Sequence, residues 1–210
     1  MKLIKTIAEF SGTLLSFIWP QRLAIILRAL QSHIYTGYLR HSFKHIGEGT
    51  AICYPVAAIR GGNHISIGTN TDISRNIRIT AWGKHDSNLK DPIITIGSDC
   101  NIGESNHFTA INGITIGDGL LTGSNVLITD NAHGASEFSI LSMNPHERPL
   151  FSKGPVTIGK NVWIGNNVCI LPNITIGEGV IIGANSVVTH DIPSFTIAAG
   201  IPAKVIKTIK

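Results

Sequence analysis

At 210 residues the chain is sized for one principal domain, and its 43% apolar residues are enough for a sizeable core. The formal net charge of +4 arises from a chain in which only 14% of residues are charged. No dense Lys/Arg block occurs, so nucleic acid is not expected as a partner, and a weakly anionic ligand or membrane surface fits better. Cys53, Cys100 and Cys169 lie far apart and form no CxxC pair, which leaves no cysteine-based zinc or redox motif and reads as reduced, buried thiols.

Residues 1–45 form an N-terminal segment of helical character. Between Leu3 and Leu39 the residues Lys5, Glu9, Pro20, Gln21, Arg22 and Arg28 break every window below the ~18 to 20 clean apolar residues of a spanning helix. The basic start followed by the apolar stretch 13–19 resembles a weak signal peptide without a small-residue cleavage site. The segment is therefore expected to be retained and the protein to be cytoplasmic, at most touching the inner face of the membrane. Leu23, Ile26, Leu27, Leu30 and Ile34 recur at helical spacing with Arg22 and Arg28 between them, which describes an amphipathic helix. Its apolar stripe packs on its own domain, on a neighbour in an oligomer, or at a membrane interface.

Residues 46–210 carry an internal repeat. Ile158, Ile164, Ile170, Ile176, Ile182 and Val188 fall six residues apart, and Val162, Val168, Ile174, Val180, Ser186 and Ile192 each precede the next such position by two, on the same face of an extended strand. Three residues after each aliphatic stand Asn161, Asn167, Asn173, Gly179, Asn185 and Asp191, types that tolerate positive φ. Earlier sequence repeats the pattern at Ile67, Ile73 and Ile79, at Ile96, Ile102 and Phe108, and at Ile116, Thr122 and Ile128, with corners at Asn70, Asn76, Asp99, Gly119, Asn125 and Asn131. A period of 3.6 would scatter such positions around a helix, so strands are required. Three hexads make one three-sided turn, and turns stack at the ~4.8 Å interstrand spacing, which predicts an all-β parallel β-helix. Insertions interrupt it near 81–92, with Trp82, His85 and Asp86, and near 134–155, where Pro145, Pro149, Gly154 and Pro155 argue against a regular helix.

The motifs Ile158-Gly159-Lys160-Asn161-Val162-Trp163-Ile164-Gly165, Ile182-Gly183-Ala184-Asn185-Ser186-Val187-Val188 and Ala199-Gly200-Ile201-Pro202-Ala203-Lys204-Val205-Ile206 resemble the hexapeptide-repeat acyltransferases, nearest in character to the galactoside, maltose and polysaccharide O-acetyltransferases. The resemblance covers about residues 46 to 208. It implies a left-handed β-helix, a homotrimer, and acetyl-CoA bound as co-substrate in clefts between subunits. That hand departs from the usual rule for parallel crossovers.

Slot counting puts Ala132 inward and His133 outward in the hexad from Ile128, at the start of the long insertion, and the segment 129–134 resembles the family's histidine segment. A neutral imidazole there is placed to take the proton of an acceptor hydroxyl attacking a thioester. His107 holds the same outward slot in the hexad from Ile102 and is a candidate acceptor contact, as is Asn131 within the histidine segment, and Asp130 or Glu137 is a candidate carboxylate partner for the imidazole. The family's acceptor-side asparagine aligns ambiguously, with Gly103 at that place by strict counting and Asn106 nearby but in an inward slot. By resemblance Trp163, in an outward slot equivalent to that of His133, borders the pantetheine channel. Gly165, Asn166 and Ala184 present backbone groups to the pantetheine amides, and Lys204 and Lys207 meet the CoA phosphates. His190 stands where family members often carry lysine.

The reading expected is acetyl transfer from acetyl-CoA to a hydroxyl of a sugar or glycan, with a histidine general base and no metal. Transfer to an amino sugar or antibiotic is the near alternative. A β-helical carbonic anhydrase would need three converging histidines, and a non-catalytic trimeric scaffold would not need the His133 segment.

Overall fold

The structure, a computed structural model, describes residues 1–18, 21–82 and 93–209. Each hexad folds as a short strand followed by a corner, because the alternation of inward aliphatics permits only extended backbone between residues that accept left-handed φ. Three parallel sheets result. The first face runs His45–Ile46, Ile65–Ile67, Ile94–Ile96, Ile114–Ile116, Val156–Ile158 and Thr175–Ile176. The third runs Ala58–Arg60, Arg78–Ala81, His107–Ala110, Leu127–Thr129, Cys169–Ile170 and Val187–Val188. The second comprises eight strands and ends in an antiparallel pair, Thr196–Gly200 with Ala203–Thr208, that closes the last turn.

Register follows the repeat. Thr157 pairs with Thr175 and Trp163 with Ile181, each 18 residues on, whereas Asn101 pairs with Leu121 and His107 with Leu127, 20 residues on. The two extra residues belong to the corner around 111–113. The aliphatic, aromatic and threonine positions expected inward at the start of each hexad, from Ile67 to Val188, are 4% exposed or less, as with Ile73, Phe108, Thr122 and Ile164.

Left-handed φ occurs at Asn70, Asn76, Asp99, Gly119, Asn125, Asn161, Asn167, Asn173, Gly179 and Asn185, where the spacing predicts corners, and also at Ser105 and Phe195. Asp191 and Asn131 depart from that expectation. The side chain of Asp191 accepts the N–H of Thr175 at 2.7 Å, and the left-handed residue falls instead at Phe195. Along one edge the asparagine amides form a ladder, Asn125 donating to Asn167 at 3.2 Å and Asn167 to Asn185 at 3.0 Å. Cys100 is buried, while Cys53 and Cys169, expected to be buried, are only partly so, and all three are free thiols.

Two helices precede the coil, α1 (Lys2–Ile18) and α2 (Gln21–Leu39). Thr36 in α2 donates to the Ser32 carbonyl and accepts the N–H of Ile52 at 2.7 Å, and Leu39 and Phe43 enter the core, so the end of α2 plugs the open top of the prism. Of the three surfaces expected to cover the apolar stripe of α2, the chain's own domain does not. Leu23, Ile26, Leu27, Leu30 and Ile34 lie exposed, and the buried residues are Ser32, Thr36 and Leu39. A polar face wins because the first turn of the coil offers an unpaired N–H at Ile52 that an aliphatic side chain leaves unsatisfied. Of the first insertion, Trp82 is described, while His85 and Asp86 lie outside the described residues. The second insertion, expected to lack a regular helix, holds two short turns, Phe138–Leu141 and a tighter one at Pro145–Glu147; Arg148 stabilises the end of the first by donating to the carbonyls of Leu141 and Met143.

Asn167→Val forces a β-branched residue to φ +57 and breaks two rungs of the ladder. A loss of about 1–3 kcal/mol in urea unfolding is expected, with Asn167→Gly losing less.

Candidate active site

The site originates where the chain leaves the coil. Asp130 still points inward and is 0% exposed. Its carboxylate accepts the N–H groups of Ile111 at 2.9 Å, Asn112 at 2.7 Å and Gly113 at 2.6 Å, the corner that holds the two extra residues. A buried carboxylate with three backbone donors and the Asn131 side-chain amide is satisfied in place, so Asp130 orients that corner and does not face acceptor or imidazole, contrary to expectation. Asn131, lacking the expected left-handed φ, is instead turned by its own side chain. Its amide donates to the Thr109 carbonyl at 3.1 Å and to Asp130 at 3.0 Å. These bonds direct the next residues off the prism, where Ala132–His133 pairs antiparallel with Leu150–Phe151. Ala132 is therefore exposed where slot counting places it inward, and His133 stands on a two-stranded arm outside the coil rather than in a slot equivalent to that of Trp163.

His133 lines a groove of about 360 Å³ on the third face. Arg60, Arg78, Trp82, His107, Thr109, Thr129 and Asn131 line it with His133, so the structure brings His107, Asn131 and His133 together. Cross-strand register orders the outward side chains into rows: Arg78, His107 and Leu127 in one, and Arg60, Thr80, Thr109 and Thr129 in the next. Burial chiefly, and the Arg78 guanidinium in addition, holds the His107 pKa below the ordinary histidine value. The Trp82 indole N–H donates to Thr109 Oγ1 at 3.0 Å, and the Arg60 guanidinium carbon lies 5.9 Å from the Trp82 ring centroid. On the other side of the His133 arm a second groove of about 550 Å³ runs past Asn131, Ala132, Phe151, Lys153, Leu171 and Thr189.

Two acceptor-side candidates are placed elsewhere. Asn106 is 0% exposed; it donates to Thr122 Oγ1 at 2.6 Å and accepts the Val126 N–H at 2.7 Å, so it is a polar rung of the interior and touches no acceptor. Gly103 lies where a Cβ would stand 2.3 Å from the Gly123 carbonyl oxygen, a corner that only glycine fits. Glu137 is exposed in the insertion and its carbonyl caps the short helix, outside the lining of the His133 groove.

The cofactor candidates share the second face. Trp163 is 50% exposed and heads an outward row through Ile181 and Ile197 to Lys207, three strand spacings or about 14 Å away. Lys204 sits on the same last strand opposite Ala199. The Gly165 N–H already donates to the Ile182 carbonyl at 2.8 Å, and the Asn166 carbonyl accepts the N–H of Asn185 at 2.8 Å, so these two backbone groups serve the coil and not a ligand. A Cβ at Gly165 would lie 2.6 Å from the Ala184 nitrogen, which sets how closely the turns stack there. Ala184 itself is exposed. Within one chain these residues occupy a different face from His133. Among the described residues no three His, Cys, Asp or Glu side chains are grouped as a metal site requires.

Arg60 and Arg78 were missed from the sequence. Their signal was legible in part, since Arg78 holds the outward slot just before Ile79 that His107 holds before Phe108.

Comparison with known proteins agrees with this architecture. Residues 93–130 match the hexapeptide repeat of succinyl-transferase, and residues 155–190 match the bacterial transferase hexapeptide of six repeats. The chain is 36% identical over 158 residues to WbbJ of Escherichia coli (strain K12), named provisionally as a lipopolysaccharide biosynthesis O-acetyl transferase, covering 74% of this chain and 75% of that one. It is 38% identical over 101 residues to the galactoside O-acetyltransferase of the same strain, covering 46% and 44%. Among solved structures, a point mutant of AntD, an N-acyltransferase from Bacillus cereus, in complex with dTDP and coenzyme A, superposes with TM-score 0.66 at 25% identity over 83% of this chain and 88% of that one. A maltose O-acetyltransferase from Clostridium difficile 630 gives 0.51 at 30% identity over 82% and 73%. The fold is thus the left-handed β-helix of the acyl- and acetyltransferases, and the chain belongs to the hexapeptide-repeat transferase family.

Asp130→Asn leaves one oxygen where two served four donors, three of them backbone N–H groups, and a loss of about 1–3 kcal/mol in thermal or urea unfolding is expected. For His107 an NMR titration is expected to give a midpoint below the ordinary histidine value, moving part of the way back in Arg78→Gln. Because the folded imidazole takes a proton less readily than the unfolded one, its linked loss of stability sets in only as pH falls through the unfolded pKa near 6.5.

Proposed function

We propose that the protein transfers an acetyl group from acetyl-CoA to a hydroxyl of a sugar or glycan, with His133 as general base. The observation that carries this reading is the His133 arm, which divides two grooves of the third face. One groove holds the acceptor and the other leads the thioester to it. The hydroxyl oxygen forms its bond to the thioester carbonyl carbon while its proton passes to the imidazole. The C–S bond then breaks and the CoA thiolate takes that proton, without an acyl-enzyme. The WbbJ and galactoside O-acetyltransferase names favour oxygen as the acceptor atom, and AntD, bound to coenzyme A, supports the donor while making amine transfer the second reading.

The reading includes a homotrimer. Trp163, Lys204 and Lys207 lie on the second face and His133 on the third, so a neighbouring copy that lays its second face against this third face brings them together. Ala184, exposed at the corner, then borders the pantetheine channel, with Asn166 beside it. The uncovered apolar stripe of α2, flanked by Arg22 and Arg28, fits peripheral contact with an anionic membrane surface; among the described residues no single helix is long and apolar enough to cross a membrane.

His133→Ala is expected to lower acetyl transfer by about 100-fold or more, while the variant keeps its oligomeric mass and still gains thermal stability from acetyl-CoA. Undiminished turnover removes His133 as the base, and the lack of any thermal shift in the native protein at saturating acetyl-CoA removes the donor.

A further inference from the structure

We infer that the acceptor is anionic: a sugar bearing a phosphate ester, with the phosphate held by Arg60 and Arg78 at the far end of the His133 groove. This rests on the transferase reading and names the acceptor class for the same site. Arg60 and Arg78 stand on paired strands, Ala58–Arg60 with Arg78–Ala81, and both are exposed to the groove. Among the described residues neither forms an ion pair, although other exposed cations of the coil do: Arg75 with Glu104 at 2.8 Å and Lys160 with Asp118 at 2.9 Å. No Asp or Glu among the described residues lines the groove. Asp130, between the lining residues Thr129 and Asn131, is turned inside and occupied by three backbone N–H groups. The described lining of the groove therefore holds two permanent positive charges without a counter-charge, an arrangement that selects an anionic ligand.

Arg60 is also held in place. Arg60 lies against the face of Trp82, and the indole is fixed through its N–H to Thr109. A guanidinium set against a ring keeps its N–H edge free for an oxyanion. Phosphate is preferred over carboxylate because the two forks come from different strands. One fork satisfies a carboxylate in its plane, whereas a tetrahedral phosphate offers oxygens in two directions. Distance fits as well. The arm of His133 leaves the strand Leu127–Thr129, from which Arg78 is two and Arg60 three strand spacings away, about 10 and 14 Å. The hydroxyl at His133 and the phosphate at the arginines are then read by strands two and three spacings apart, the order of length of a sugar phosphate or diphosphate. Further along the same row Leu127, Cys169 and Val187 are uncharged, so the positive charge is confined to this end.

Matched acceptors test the inference: one hexose as the free sugar, as its 1-phosphate, as its nucleoside diphosphate, as a short-chain prenyl diphosphate, and as the uronic acid. The KM of at least one phosphate-bearing form is expected to be about tenfold or more below that of the free sugar, as one charge-assisted hydrogen bond supplies. Which phosphate form is best identifies a soluble, nucleotide-linked or lipid-linked source. In the R60Q/R78Q double variant that KM is expected to rise about tenfold or more, a clearly larger rise than that of the free-sugar KM. Inorganic pyrophosphate is expected to bind the native protein by calorimetry, to bind H133A equally, and to compete with the acceptor, none of which requires turnover. A free sugar or uronate with the lowest KM, or a native protein that does not bind pyrophosphate, overturns the inference and leaves the transferase reading intact. Pyrophosphate binding that is lost in R60Q/R78Q, in a protein that acetylates no acceptor, supports the anion site and counts against the transferase reading.

Discussion

Parallel strands stacked at one interstrand spacing require that each turn present its side chains directly over those of the turn before. Every inward position must then be filled by a residue that tolerates its own kind above and below, and Ile46, Ile67, Ile96, Ile116, Ile158 and Ile176 form such a column on the first face. The corners obey the same constraint. Glycines such as Gly97, Gly103 and Gly165 stand where a Cβ would meet the next turn at 2.6, 2.3 and 2.6 Å. A coil built this way is straight and tightly registered, and outward side chains inherit that registry.

This registry explains which parts of the structure were legible in the sequence. A six-residue period is commensurate with strand and corner, so the three faces, the inward columns and most left-handed corners could be counted directly. Counting failed where a single hydrogen-bonding group overrides the period. Asp130 satisfies three backbone donors of the corner that carries two extra residues in a 20-residue turn, and nothing in the hexad from Ile128 signals that need. Its neighbours follow: Asn131 gives up its corner, Ala132 loses its inward slot, and His133 leaves the coil. Helix α2 shows the same conflict between pattern and partner. Its apolar stripe is plain in the sequence, yet Thr36 meets the orphan N–H of Ile52 and turns that stripe outward.

The catalytic arrangement proposed here was less legible, because no period governs it. Asn106 has the chemistry of an acceptor contact and a structural position that forbids it, while Arg78 has a plain outward slot in a stretch where attention falls on aliphatics. Burial and strand order sort the candidates: one group of polar residues gathers about His133, and a second, led by Trp163 and Lys207, lies around a corner on another face. On the proposed reading a reaction that needs both groups requires two copies of the chain, which would give the proposed oligomer a chemical reason beyond the covering of exposed apolar side chains such as Leu121 and Trp163.

Outward rows also convert position along a substrate into turn number. A ligand lying across the third face meets Leu127, His107 and Arg78 in succession at steps of about 4.8 Å, each carried by a separate strand whose inward residues are unaffected by the outward choice. Acceptor preference can thus change one row at a time without disturbing the column of Ile79, Phe108, Ile128 and Ile170 behind it. On the proposed reading the hydroxyl to be acetylated is set by the arm that carries His133, and the charge of the acceptor is read two and three strands away. A neutral sugar bound in that groove would leave Arg60 and Arg78 hydrated and unpaired, so the difference between acceptors lies in two side chains and not in the scaffold.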